Sequence, residues 1–185
     1  MAEVVAREPL PGGRVFEVVV GDLLSEPVDA IVNAANGRLA HGGGVAAAIA
    51  RAAGRALVSE GDKVVRERGE VPVGDAVVTT AGDLPFRGVI HAVGPHLGAG
   101  QEEEKLVRAL DSAFARADER GWSSLSFPAV SSGIFAVPAD VCARAYVAAV
   151  RAFCSSRPDT SVRTIRLCLR PGALVERVKA ELGAA

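Results

Sequence analysis

The chain has 185 residues, a formal net charge of −1 and 49% apolar residues, which fits one domain with a core large enough to fold without disulfide or metal staples. The near-neutral balance excludes the basic footprint of a double-stranded nucleic acid binder. No apolar run reaches the ~18 residues that suggest a bilayer span, so no membrane contact and a cytoplasmic location are expected.

In chain order, residues 1–13 read as a loose leader that ends at Pro11-Gly12-Gly13; acids at Glu3 and Glu8 and the lack of an apolar segment exclude a signal peptide. Residues 14–185 read as a single domain. RVFEVVV (14–20) predicts a strand, and VDAIVNAA (28–35) a second, apolar enough to be buried on both faces. Residues 44–59 place Val45, Ala48, Ile49 and Ala52 at helical spacing, with Gly54 weakening the end, and the charged stretch 60–74 is helical in part. DAVVTTA (75–81) and GVIHAVG (88–94) predict strands. Residues 101–120 form the clearest helix, with Glu102, Glu103 and Glu104 suited to its N-terminus and an apolar stripe of Leu106, Leu110, Ala113, Phe114 and Ala117. A strand over 124–130, a helix over 138–153 with proline in its first turn, a strand over 162–169 and a helix over 173–182 complete the chain. Strands alternating with helices predict an α/β fold, with helices on both faces of a mixed, mostly parallel sheet.

Cys142, Cys154 and Cys168 are widely spaced and form no C-x-x-C pair, so buried free thiols are expected, with no metal site and no cofactor.

In such a fold, ligands bind where strands end and helices begin. One junction is IVNAANGRLAHGGGVAAAIA (31–50), where a buried strand delivers Asn33 and Asn36, and Gly42, Gly43 and Gly44 open a helix made of small residues. Glycines there let a ligand touch the backbone, and free N–H groups at a helix start attract an anion. A flexible linker is the plainer reading, and the structured flanks count against it. The other junction is SFPAVSSGIFAVP (126–138), where Ser131, Ser132 and Gly133 precede Ile134 and Phe135. Hydroxyls and N–H groups suit a diphosphate, and an aromatic suits a sugar; a short turn with Phe135 in the core is the alternative. Asp22 follows the first strand, placed either to accept from an exocyclic amine or to cap a turn. His41 stands among glycines, with ligand and solvated readings evenly matched, whereas His91 in its apolar strand reads as a satisfied core residue and His96 as surface.

Taken together, VVVGDLL (18–24), DAIVNAAN (29–36), HGGGVAAAI (41–49), VIHAVGP (89–95) and FPAVSSGIF (127–135) resemble a macrodomain, the ADP-ribose-binding α/β/α module. The resemblance implies a three-layer sandwich with a sheet of about six strands, and ADP-ribose or an ADP-ribosylated protein as partner; a monomer is the default expectation. It also implies roles. Asp22 would accept from the adenine amine, and Leu23 would line the adenine pocket. Asn36 would bind the distal ribose. Gly42, Gly43, Gly44 and Val45 would wrap that ribose and one phosphate. Ser131, Ser132, Gly133 and Ile134 would clamp the diphosphate, and Phe135 and His41 would stand beside the distal ribose. Asn36, His41 and Gly43 are thus the catalytic candidates.

One hydrolase branch of the family is similar but carries an aspartate directly after G-G-G-V. Here that place is Ala46, and no carboxylate lies between Asp29 and Glu60. The H-G-G-G-V-A pattern is closer to members in which a substrate phosphate activates the water. Hydrolysis at the C1″ end of ADP-ribose and non-catalytic ADP-ribose reading both follow from this. A Rossmann dehydrogenase is disfavoured: Gly42-x-Gly44-x-x-Ala47 fits the string, but residues 36–41 separate it from its strand.

Overall fold

The structure is a computed structural model that describes residues 2–184; Met1 and Ala185 lie outside the described residues. Strands β1 (Glu3–Leu10), β2 (Arg14–Val20), β3 (Ala30–Ala35), β4 (Ala76–Thr79), β5 (Gly88–Val93), β6 (Ser124–Phe127) and β7 (Thr164–Leu169) form one sheet in the order β1-β2-β7-β6-β3-β5-β4. The five inner strands run parallel, and β1 and β4 pair antiparallel at the two edges. The sheet is mixed and mostly parallel as expected, with seven strands rather than about six.

The extra strand corrects the reading of a loose leader. Residues Glu3–Leu10 pair along β2, and Pro11-Gly12-Gly13 is the hairpin turn, with both glycines at positive φ. Charged Glu3, Arg7 and Glu8 together with Pro9 hide the strand in the sequence, because these are the residues that protect a free sheet edge.

The helices are α1 (Gly44–Ala53), α2 (Arg55–Arg68), α3 (Glu102–Glu119), α4 (Ala139–Ser156) and α5 (Ala173–Gly183). Period-two alternation sends the side chains of β2 to opposite faces. Phe16 and Val18 join the main core with Leu110 and Phe114 of α3, Tyr146 and Phe153 of α4 and Val178 of α5. Val19 joins a second core with Ile31, Val89, and Ile49 and Leu57 from α1 and α2. This is a three-layer α/β/α sandwich. The expected helix over 44–59 is two helices, because Gly54 at φ 79° stops the first before the second runs to Arg68. The expected strand over 124–130 stops at Phe127; Pro128 has no N–H to continue the ladder. Cys142, Cys154 and Cys168 are free and buried, as expected.

The cleft arises from topology. From β3 the chain passes through α1 and α2 to β4 and back along β5 on one side, and from β6 it crosses to β7 on the other. β3 and β6 are neighbours but pair only at Ala30↔Leu125 and Ile31↔Ser126. Beyond those pairs a crevice opens at the carboxyl ends of the strands, the switch point where open α/β sheets bind ligands.

Candidate functional site

Both glycine-rich loops meet at that crevice. One chamber of about 460 Å³ is lined by Asn36, Gly42, Gly43, Gly44, Val45, Ser131, Gly133, Ile134 and Phe135. A second of about 540 Å³ continues it past Gly44, Val45, Ser132 and Gly133 to Asp22, Leu23 and Arg170. Twelve expected binding residues thus line one continuous cleft. His41 lines neither chamber but lies next to Gly42 behind the loop. A further groove of about 590 Å³ runs along β4 between α2 and α3, among charged side chains such as Arg116, Glu119, Lys63 and Glu67, and includes neither glycine loop.

The first loop is built around Asn36. Its Oδ1 accepts from the N–H groups of Arg38 and Ala40, each at 3.1 Å, and its Nδ2 donates to the Ala40 carbonyl at 3.1 Å. Gly37 is fixed by the Val71 N–H at 2.8 Å. The loop then enters α1 with Gly43 as an N-cap that has no side chain to offer, so the first N–H groups of the helix remain available to an anion.

The second loop is braced from below. The Tyr146 hydroxyl donates to the Val130 carbonyl at 2.6 Å, and burial pushes that phenol well above its ordinary pKa. Ser131 sits at φ 66°. Among the described residues, no carbonyl takes the N–H of Ser131, Gly133, Ile134 or Phe135. Ile134 is 78% exposed, yet its Cδ1 lies 3.3 Å from where a Cβ on Gly43 would stand. This side chain spans the mouth of the cleft from one loop to the other. Phe135 is half-buried on the rim, edge-on to His96 at 6.4 Å, rather than in the core.

Asp22 caps the turn and also stands in the cleft. Its Oδ1 accepts from the Leu24 N–H at 3.1 Å, capping the 3-10 turn Leu23–Ser25, and the carboxylate also lines the far chamber, 3.8 Å from Arg170. Leu23 is buried beneath it. Among the described residues no acidic side chain lines the near chamber, where Ala46 occupies the wall.

His91 is the satisfied core residue the sequence suggests. It bonds Asn33 at 3.0 Å and Thr79 at 2.8 Å, and burial, with a smaller push from His41, lowers its pKa to about 3. His41 has both ring nitrogens buried without a protein partner among the described residues. Burial lowers its pKa against the opposing charge of Asp62 on α2. Sequence reasoning missed Tyr146, Gly94 and Arg170. Nothing marks the first two, which act on the second loop from neighbouring elements; Arg170 was legible as the first polar residue after the last strand.

These features match known proteins. A family model described as Macro domain matches residues 32–146. A Thermotoga maritima protein is 47% identical over 170 residues, 91% of this chain; the match spans 28% of that longer relative. The O-acetyl-ADP-ribose deacetylase of Klebsiella pneumoniae is 45% identical over 139 residues, covering 74% of this chain and 79% of the enzyme. The Oceanobacillus iheyensis macrodomain solved with ADP is 30% identical with a TM-score of 0.87, over 96% of this chain and 95% of that one. With the family model covering more than half of its length and relatives at this level of identity, the chain belongs to the macro domain family.

Proposed function

We propose that the cleft binds ADP-ribose and that the chain hydrolyses the bond at its C1″ position. One observation carries the binding half: the uncapped start of α1 and the unpaired N–H groups of Ser131, Gly133, Ile134 and Phe135 line one cleft from two loops. Backbone N–H groups at a helix start and in a turn are suited to a diphosphate on a chain of almost no net charge. The diphosphate then spans the shared wall of the two chambers. Adenine occupies the far one, with its amine donating to Asp22 over Leu23, and the distal ribose occupies the near one between Asn36, Gly42–Gly44 and Phe135. The ADP bound to the Oceanobacillus relative and the activity named for the Klebsiella one support this placement.

The chemistry follows from what the near chamber lacks. With Ala46 in its wall and no carboxylate, the protein supplies no general base there. A phosphate oxygen of the bound substrate takes the proton of a water instead. The water oxygen bonds to C1″ as the bond to the substituent breaks, and the leaving group departs with its electron pair. Asn36 and Gly43 hold the ribose and the water in line, and His41 supports their loop from outside the chamber; positioning of this kind reaches effective molarities on the order of 10⁵ M and above. Mono-ADP-ribosylated acidic side chains, ADP-ribose 1″-phosphate and O-acetyl-ADP-ribose are the candidate substrates. The free buried thiols support a reducing, cytoplasmic setting.

The missing carboxylate also favours a second reading, a module that recognises ADP-ribose without turning it over. A hydrolysis panel over the three substrate types separates the two. Asn36→Asp keeps the acceptor for the Arg38 and Ala40 N–H groups and loses the amide donor, including its bond to the Ala40 carbonyl. Turnover that falls while ADP-ribose binding is largely kept supports catalysis. Intact binding with no release from any substrate leaves the reader.

A further inference from the structure

Asn33 of β3, His91 of β5 and Thr79 of β4 form a buried polar island on the sheet face covered by α1 and α2. It lies between the apolar group containing Ile31, Ile49 and Val89 and the one containing Ala35, Leu39 and Val93. Polar groups placed there need defined partners, and one proton arrangement matches the amide orientation. The Thr79 Oγ lies 3.0 Å from the Thr80 carbonyl and 2.8 Å from His91 Nε2. With its single proton directed to the carbonyl, the hydroxyl accepts from Nε2; the neutral ring then has a bare Nδ1, which accepts from Asn33 Nδ2 at 3.0 Å. In that arrangement the Asn33 Oδ1 is buried with no protein donor among the described residues. Next to this island lies His41, its ring centroid 5.9 Å from that of His91 and both its nitrogens equally without a protein partner.

Resting on the proposed placement of the distal ribose, we infer that Thr79 and His91 are positioning residues for the ribose end of the cleft. Through the ring tautomer of His91 they hold the Asn33 carbonyl as an acceptor for His41. The relay requires one internal water between that carbonyl and the His41 N–H, the usual partner of buried polar atoms that no side chain reaches. The His41 ring is thereby held in one tautomer next to Gly42, bracing the loop proposed to wrap the distal ribose. Thr79 lies on the edge strand and lines neither chamber, so its effect reaches the ligand only through this relay.

The test uses the full chain, ¹⁵N-imidazole NMR and two ligands that differ by the distal ribose. In the unaltered protein His91 is expected to be protonated on Nε2 and bare on Nδ1. Thr79→Val removes the acceptor at nearly constant volume, frees the tautomer and the Asn33 amide, and lowers ADP-ribose affinity five- to tenfold. ADP affinity, which reports adenine and diphosphate contacts, changes less than twofold. Thr79→Ser restores both the tautomer and the affinity, and Thr79→Ala carries the same expectation should valine prevent folding. A proton on His91 Nδ1 in the unaltered chain overturns the inference, as does an equal loss for both ligands or no loss for either. If the unaltered chain binds neither ligand, the functional reading falls and the ribose half of the inference with it, while the tautomer measurement still decides the internal relay.

Discussion

Gly94, just past the end of β5, lies directly against Ser131 of the second loop: a Cβ on Gly94 would stand 2.3 Å from Ser131 Oγ and 3.0 Å from Val130 Cγ1. Ser131 has no room to retreat, being buried and held at φ 66° with its carbonyl on the Val137 N–H. Gly94→Ala is expected to push the loop outward and weaken ADP-ribose binding about tenfold, roughly 1.4 kcal/mol. Ser131→Gly tolerates the positive φ and removes the clashing hydroxyl, so the double variant is expected to recover most of the loss. Calorimetry on the four proteins measures the coupling; strictly additive losses would show that the two residues act separately.

Asp22 accepts from the Leu24 N–H and faces the far chamber. Asp22→Ala is expected to reduce ADP-ribose affinity by roughly 1.5–3 kcal/mol, the usual range for a hydrogen bond to a charged group. The hypoxanthine analogue of ADP-ribose lacks the exocyclic amine and is expected to lose far less. An equal loss for both ligands would assign Asp22 to the turn alone.

Arg166 on β7 joins Glu17 of β2 to Glu26, the residue that closes the turn begun by Asp22. The two carboxylates are 6% and 0% exposed. Arg166→Ala leaves them buried without their shared partner, and unfolding in urea is expected to show a loss of roughly 3–5 kcal/mol. Arg7 also pairs with Glu17 but is 67% exposed, so Arg7→Ala is expected to cost less than about 1 kcal/mol.

Neutral His91 makes stability depend on pH in a defined direction. Its pKa of about 3 in the folded chain lies below the ordinary 6.5, so the unfolded chain takes up the proton first. The stabilisation is complete above pH 6.5 and is lost as pH falls toward 3. Between pH 8 and pH 5 the loss is about 2 kcal/mol. His41, also lowered by burial, adds in the same direction. Denaturation curves at the two pH values check this, and in His91→Gln the drop is expected to shrink to the part His41 contributes.

The fold was legible where one force dominated. Apolar runs such as 14–20 and 88–94 and the stripe of α3 fixed strands, helices and layers, because burial sets their period. Elements shaped by edge protection or by a single backbone angle were not: β1 looks polar, and the break at Gly54 is a φ rather than a composition. The cleft was legible through its glycines, where a ligand meets backbone. Its supports were not, since Gly94, Tyr146 and Thr79 act by distances of contact that no spacing in the chain reveals. The resemblance supplied the identity of the ligand; the glycines alone specified only an anion-binding α/β crevice.

The central claim is that ADP-ribose occupies the cleft with both ends bound, and calorimetric titration of one sample with ADP-ribose, ADP and AMP tests it most directly. The expected result is one site per chain, with affinity falling in that order and ADP-ribose at least tenfold tighter than AMP. Absence of saturable binding, or equal affinities for ADP-ribose and AMP, would contradict it.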